Sequence, residues 1–298
     1  MKKTAVCIVL SALFFGTMEV ALKLAGNTLD AFQITFLRFL IGGVLLLPFA
    51  VRERRKQPDR KMKPRLWLYM VFLGAVNVPF CMIFFQLGIA HANAATAAVI
   101  FSCNPIFTML LAHVFTKDDK MNPRKAAALF IGLAGILFMI RPWDIQPGNT
   151  LLGAALSILA AAIFGLYSVL GAKTVAKAGA FTQTSVSFIA GSLILLLVLN
   201  VTGKPILAGA PENIAILLYV SIIVTGGGYL FYFLAIKYSD ATTGSIVFFL
   251  KPVLAPIFAV AILHEAVTWN MYLGIAIILA ASYILIAAKK KAPGTVIK

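Results

Sequence analysis

A chain of 298 residues in which 61% are hydrophobic and only 12% charged is not a soluble globular domain, where about 25% of residues carry charge. Its net charge of +16 does not mark a nucleic-acid binder, because the basic residues sit in short connections between apolar runs. The mean hydropathy of +0.96 leaves little chain for any domain outside a lipid bilayer.

Ten apolar runs follow one another, at about residues 5–24, 32–51, 66–89, 94–115, 124–140, 150–171, 181–200, 214–236, 241–263 and 269–288. Each is close to the ~20 residues an α-helix needs to cross a bilayer. The expected fold class is therefore an all-α integral membrane protein with ten transmembrane helices. The first run follows Met1-Lys2-Lys3, as a signal peptide would, but Glu19 and Lys23 interrupt its end and no small-x-small cleavage site follows. It reads as a retained first helix.

If the runs alternate across the membrane, 21 Lys and Arg residues fall on the side of the two termini, eight of them between Arg52 and Arg65. The opposite side has only Arg141 and Lys204. By the positive-inside rule the rich side, with both termini, is cytoplasmic. The basic cluster between the second and third runs is placed to touch anionic lipid head groups. Cys7, Cys81 and Cys103 lie inside the runs as small buried side chains, without the spacing of a metal site or disulfide framework. Asn200-Val201-Thr202 spells a glycosylation sequon on the outer side.

The chain repeats itself. A shift of 147 positions lays Phe84 on Phe231, Ala94 on Ala241, Thr96 on Thr243, Phe101 on Phe248, Pro105 on Pro252 and Ala112 on Ala259. Earlier in the halves a shift of 149 lays Phe15-Gly16 on Phe164-Gly165, Thr35 on Thr184 and Gly42 on Gly191. Residues 1–142 and 149–290 are thus two five-helix units, joined by a turn-rich linker at 141–148, and 291–298 form a cytoplasmic tail. With an odd number of helices per unit, equivalent helices cross in opposite directions. An inverted repeat of this kind points to a transporter whose solute lies between the halves.

Charges at membrane depth are costly and normally face protein or water. Glu19 and Lys23 stand one turn apart on the first helix, on one face. They read either as a pair lining a pathway, with Glu19 a proton or cation site, or as a pair at the outer helix end snorkelling to the head groups. Arg38 reads as a packing anchor and His113 as an interfacial side chain. Lys251 precedes Pro252 where the other half has Asn104-Pro105. Each proline frees the carbonyl one turn back, that of Phe101 or Phe248. Lys251 is a candidate to hold an anionic group of the solute or to pair with Glu19. Pro79, beside Asn77, aligns with Gly226, beside Gly227, so the third and eighth helices are weak at one depth. Phe15, Phe85, Phe101, Phe164, Tyr167, Tyr229, Tyr232 and Phe248 are expected around a central cavity, where ring faces suit an apolar or cationic solute.

At this level the chain resembles the EamA-type transporters of the drug/metabolite transporter superfamily. The resemblance rests on Phe15-Gly16 with Ala21-Leu22-Lys23, on Leu37-Arg38-Phe39, and on Leu47-Pro48. It continues in Asn93-Ala94-Ala95-Thr96 to Asn104-Pro105, in Asp240-Ala241-Thr242-Thr243 to Lys251-Pro252, and in His264-Glu265 with Thr268-Trp269. It implies two EamA repeats, ten helices around a cavity, and residence in the inner or plasma membrane. It further implies export of small metabolites such as amino acids or drugs, although some relatives import. The chain departs from the family at Glu19 and at Lys117-Asp118-Asp119-Lys120.

The expected partners are a small-molecule substrate, the lipid bilayer and a coupling proton or cation; no cofactor and no nucleic acid is expected. A second reading is an importer or exchanger of an anionic or nucleotide-like solute held by Lys251. An intramembrane enzyme is disfavoured, since His264-Glu265 lacks the second histidine of a zinc-protease motif, Thr268 standing there.

Overall fold

The computed structural model describes residues 2–25, 29–56, 62–91, 97, 100–117, 119–140, 150–263 and 269–290. The linker at 141–148, Asn93–Thr96, His264–Thr268 and the tail at 291–298 lie outside them, as do the side chains of Glu19 and Lys23. The described residues are helical, in the order α1 (Lys2–Gly16), α2 (Met18–Ala25), α3 (Ala31–Arg55), α4 (Pro64–Ala75), α5 (Met82–Ala90), α6 (Asn104–Phe115) and α7 (Pro123–Ile140). The second half follows as α8 (Leu151–Ala178), α9 (Ala180–Val201), α10 (Ile214–Tyr219), α11 (Gly228–Tyr238), α12 (Ala241–Gly244), α13 (Val247–Leu263) and α14 (Trp269–Lys290). Two π-helical stretches, Val76–Cys81 and Val220–Gly227, join α4 to α5 and α10 to α11.

Among the described residues five continuous helices are long and apolar enough to span a bilayer: Ala31–Arg55, Pro64–Gly88, Leu151–Ala178, Ala180–Val201 and Ile214–Tyr238. Ile100–Phe115, Ala241–Leu254 and Tyr272–Ala281 are shorter apolar helices. Their outward faces carry side chains such as Leu68, Val114 and Leu197, each about two-thirds exposed or more. Such surface suits lipid contact and no aqueous one. The protein is a multi-pass integral membrane protein.

Helix starts follow ordinary capping chemistry. Asp30 opens α3 with a capping box: its carboxylate accepts the N–H groups of Phe32 and Gln33, and the Gln33 side chain accepts the Asp30 N–H. Thr150 caps α8 by accepting the Gly153 N–H at 3.1 Å, and Asp240 caps α12 through the Thr243 N–H at 2.6 Å. At the start of α9 the residue equivalent to Asp30 is Gly179, which has no capping side chain and a φ of +95°. Glu53, from the end of α3, supplies the missing carboxylate to the Thr182 N–H at 2.9 Å and hydroxyl at 3.1 Å. A Cβ on Gly179 would overlap that carboxylate, so glycine is required twice over.

The halves touch through equivalent pairs of elements. Helix α1 packs on α11 and α13, and its counterpart α8 packs on α5 and α6. The second helices of the two halves, α3 and α9, pack on each other, as do the last, α7 and α14. Small residues allow this approach. A Cβ on Gly42 would lie 2.8 Å from the Ser221 carbonyl oxygen, and one on Gly191 would strike the carbonyl of Gly74, the residue equivalent to Ser221. Buried hydroxyls are mostly satisfied within their own helix: Ser157, Ser168, Thr184 and Ser221 donate to the carbonyl one turn back. In lipid, where water cannot serve them, this is the available solution.

Candidate functional site

The two halves meet in a seam of aromatic rings. Phe15 of α1 stacks on Phe248 of α13 with centroids 5.6 Å apart, and its equivalent Phe164 of α8 meets Phe101 edge to face at 5.5 Å. Phe101 and Phe248, themselves equivalent, lie 6.2 Å apart. Phe164 also packs on Phe248 at 4.8 Å, on Tyr232 at 5.9 Å and on Tyr229 at 6.1 Å. Phe85 leans on Phe101 at 4.6 Å. All eight aromatics expected around a cavity are therefore brought together. Where the sequence places open space, however, the rings fill it: Phe164, Tyr167 and Tyr232 are fully buried. Phe15, Phe101 and Phe248 are buried beside them.

Phe39 and Phe188 extend the seam, 4.6 Å apart, and both touch Tyr229, at 5.5 and 4.9 Å. They escape the sequence reading, although the 149-residue shift that pairs Phe15 with Phe164 also pairs Phe39 with Phe188.

Polar atoms lie beside the rings. The Asn77 side chain, in the first π-helical stretch, lies next to the Tyr229 hydroxyl, yet neither its Nδ2 nor its Oδ1 has a hydrogen-bond partner. The Tyr167 hydroxyl lies near Gln183 and Ser187 and is likewise unpartnered, as are Gln183 Oε1 and Thr225 Oγ1. Tyr232 is satisfied, donating to Ser168 Oγ at 2.6 Å. Buried groups left without partners each cost on the order of 1–3 kcal/mol. Asn77 and Tyr167 bring several such atoms beside the aromatic rings.

Arg38 is buried in this region. Its guanidinium donates to the sulfurs of Met18 and Met82, each at 3.4 Å, and lies 4.7 Å from the Phe39 ring. The packing role expected for it fits those contacts. His113 is exposed and accepts the Met121 N–H, fixing a turn beyond α6.

The proposed helix breaks sit as follows. Pro79 lies inside Val76–Cys81, and Gly226 and Gly227 inside Val220–Gly227, so both stretches are π-helical at equivalent places. Single π-turns of this type recur at functional sites. Pro105 is in the first turn of α6, just after a turn at Cys103, and the Asn104 side chain donates to the freed Phe101 carbonyl at 3.0 Å. Its Oδ1 has no partner. Pro252 differs: α13 runs through it, and the interruption lies earlier, between α12 and α13. Standing in the second turn of α13, this proline removes the bond to one carbonyl without ending the helix. Lys251 is half-buried on α13, one turn after Phe248.

The EamA-like transporter family matches residues 2–141 and 151–287. An uncharacterized transporter of Clostridium kluyveri is 33% identical over 98% of this chain and 96% of its own length. An S-adenosylmethionine uptake transporter of Rickettsia prowazekii is 26% identical over 92% of this chain and 88% of its own. A protein of known crystal structure superposes on 98% of this chain and 99% of its own with a TM-score of 0.80, at 16% identity, which is a likeness of fold.

Proposed function

The chain belongs to the EamA-like transporter family, and from that premise we propose that it is a secondary transporter working by alternating access, its solute crossing at the aromatic seam. The supporting observation is the seam itself, built from equivalent rings of both halves and bordered by buried, unpartnered polar atoms. In this reading the chain forms ten transmembrane helices in two inverted repeats, 1–142 and 149–290, with both termini cytoplasmic. Exchange of conformation between the repeats closes the seam on one face and opens it on the other. The π-helical stretches around Pro79 and Gly226-Gly227, and the turns before Pro105 and Pro252, supply the bends.

The solute is a small metabolite with an apolar or cationic part held against Phe15, Tyr229 and Phe248. Its polar part is met by Asn77, Asn104 and Tyr167. Glu19, Lys23 and Lys251 are the charged groups assigned to the pathway, Glu19 as the site of a coupling proton or cation. Export of amino acids or similar metabolites is the first reading of direction.

A second reading, uptake of a nucleoside-bearing cation, is favoured by the Rickettsia relative's name and by ring faces that suit a sulfonium. Both are tested with purified protein in liposomes, offered labelled amino acids or S-adenosylmethionine with and without a proton gradient. Saturable flux of either class above empty liposomes, lost in Glu19→Gln or Lys251→Ala, supports the site. Flux unchanged in both variants removes those two residues from it.

A further inference from the structure

A cleft of about 620 Å³ opens between the start of α4 and the end of α8, lined by Lys63, Arg65, Tyr69, Lys173, Thr174 and Lys177. One wall belongs to each half of the chain. All four basic side chains are exposed at its rim, while Tyr69 is half-buried and Thr174 fully buried. Among the described residues none of the four cations has an ion pair or side-chain hydrogen bond. Glu53, which lies against Gly179 at the end of α8, is engaged in capping α9 through Thr182. Among the described residues, four like charges therefore border one cleft with no carboxylate paired to them, an arrangement that suits an anion.

The shape narrows the anion. The first turn of α4 borders the cleft, so a positive helix end adds to the side chains. Arg65 offers the planar donor pair that matches phosphate oxygens, and the lysines add point charges. Leu66 also lines the cleft, and the adjoining face of α4 presents exposed Trp67 and Leu68 to the lipid side. We propose that this cleft binds a phosphate ester, with the phosphate on the four cations and its organic part on Tyr69 and Leu66. An anionic phospholipid entering from the bilayer and a soluble sugar or glycerol phosphate share that chemistry. The site is separate from the aromatic seam and independent of which solute crosses there.

The test uses the full chain in nanodiscs of phosphatidylcholine with or without phosphatidylglycerol, and in detergent with glycerol 3-phosphate. Lipid retention is read by native mass spectrometry and soluble binding by thermal shift. Each basic side chain near an anionic surface contributes roughly a five-fold preference. Lys173→Gln/Lys177→Gln on one wall, and Lys63→Gln/Arg65→Gln on the other, should each weaken binding about thirty-fold. Lys117→Gln/Arg124→Gln removes the same charge away from the cleft and should leave binding unchanged. Preferential retention of phosphatidylglycerol, lost in both cleft variants, assigns the lipid. A glycerol 3-phosphate shift lost in the same variants, without lipid preference, assigns the soluble ester. No phosphate-dependent effect in the wild type, or equal losses in the cleft and control variants, overturns the proposal.

Discussion

Phe101 and Phe248 occupy the same place in the two halves of the chain and pack edge to face against each other, 6.2 Å between ring centroids. Around this pair the flanking contacts are matched, Phe15 on Phe248 and Phe164 on Phe101. A residue and its equivalent can meet in this way only near an axis relating the halves. In the alternating access proposed above, these are the rings best placed to part and re-form.

Shortening either ring should impair flux more than folding. Phe248→Leu and Phe101→Leu are each expected to cost about 1–2 kcal/mol of stability, less than the ~3–5 kcal/mol of truncating a buried Phe to Ala. Initial rates in proteoliposomes, normalised to inserted protein, should fall at least about tenfold in both, since Phe248 packs on four aromatic rings and Phe101 on three. Equal rates in wild type and both variants would remove the pair from the pathway.

Tyr167→Phe separates binding from stability. Its hydroxyl is buried without a hydrogen-bond partner, so removing it should leave stability unchanged or raise it by up to ~1 kcal/mol, with the melting temperature unchanged or higher. If that hydroxyl meets the solute, the same variant raises KM several-fold. A lowered melting temperature with unaltered KM is the outcome that contradicts this assignment.

Glu53 closes the start of α9 from the other half, and its loss should be felt as a lost helix cap. Glu53→Ala is expected to lower stability by about 1–2 kcal/mol, read as a lower melting temperature in detergent. Glu53→Gln should fall between, because an amide oxygen still accepts from Thr182. No change in Glu53→Ala would mean that water replaces the carboxylate at no cost.

The start of α3 carries a pH-dependent contribution. Partial burial pushes the Asp30 carboxyl up, but the bond and charge of Lys204 and the N–H groups of Phe32 and Gln33 outweigh it and hold the carboxyl below its usual range. A depressed carboxyl stabilises the fold above the ordinary value of about 3.9 and loses that contribution as pH falls through the native value. Both partners are partly exposed, 34% for Lys204 and 26% for Asp30, so the Lys204 share is about 0.5 kcal/mol or less. The melting difference between wild type and Lys204→Met should shrink between pH 7 and pH 3. Lys204 Nζ also lies 4.5 Å from the Phe32 ring centroid, and a constant difference would show that it acts through that contact alone.

Much of this architecture was legible because symmetry writes itself twice. Composition marks the membrane, and the shifts of 147 and 149 residues pair Phe15 with Phe164 and Phe101 with Phe248. Pro79 and Gly226 pointed to the depth at which both helices become π-helical. Pro252 misled, since a proline in the second turn of a helix need not end it, and the local chain turned earlier, at Ser245-Ile246. The density of the seam was not legible either: a list of aromatic residues has the same appearance whether they line a void or fill it. The bond from Glu53 to Thr182 spans 129 positions, and no local pattern announces a cap borrowed from the other half. Gly179, at the place of Asp30, was its only trace.

The central claim is tested most directly by cysteine accessibility at Phe164, in a background where Cys7, Cys81 and Cys103 are replaced. With Phe164→Cys in sealed vesicles of known orientation, a membrane-impermeant thiol reagent is applied from one face and then the other. Alternating access predicts labelling from both faces, with solute slowing each. Labelling from one face alone, or from neither while flux persists, would contradict passage through the seam.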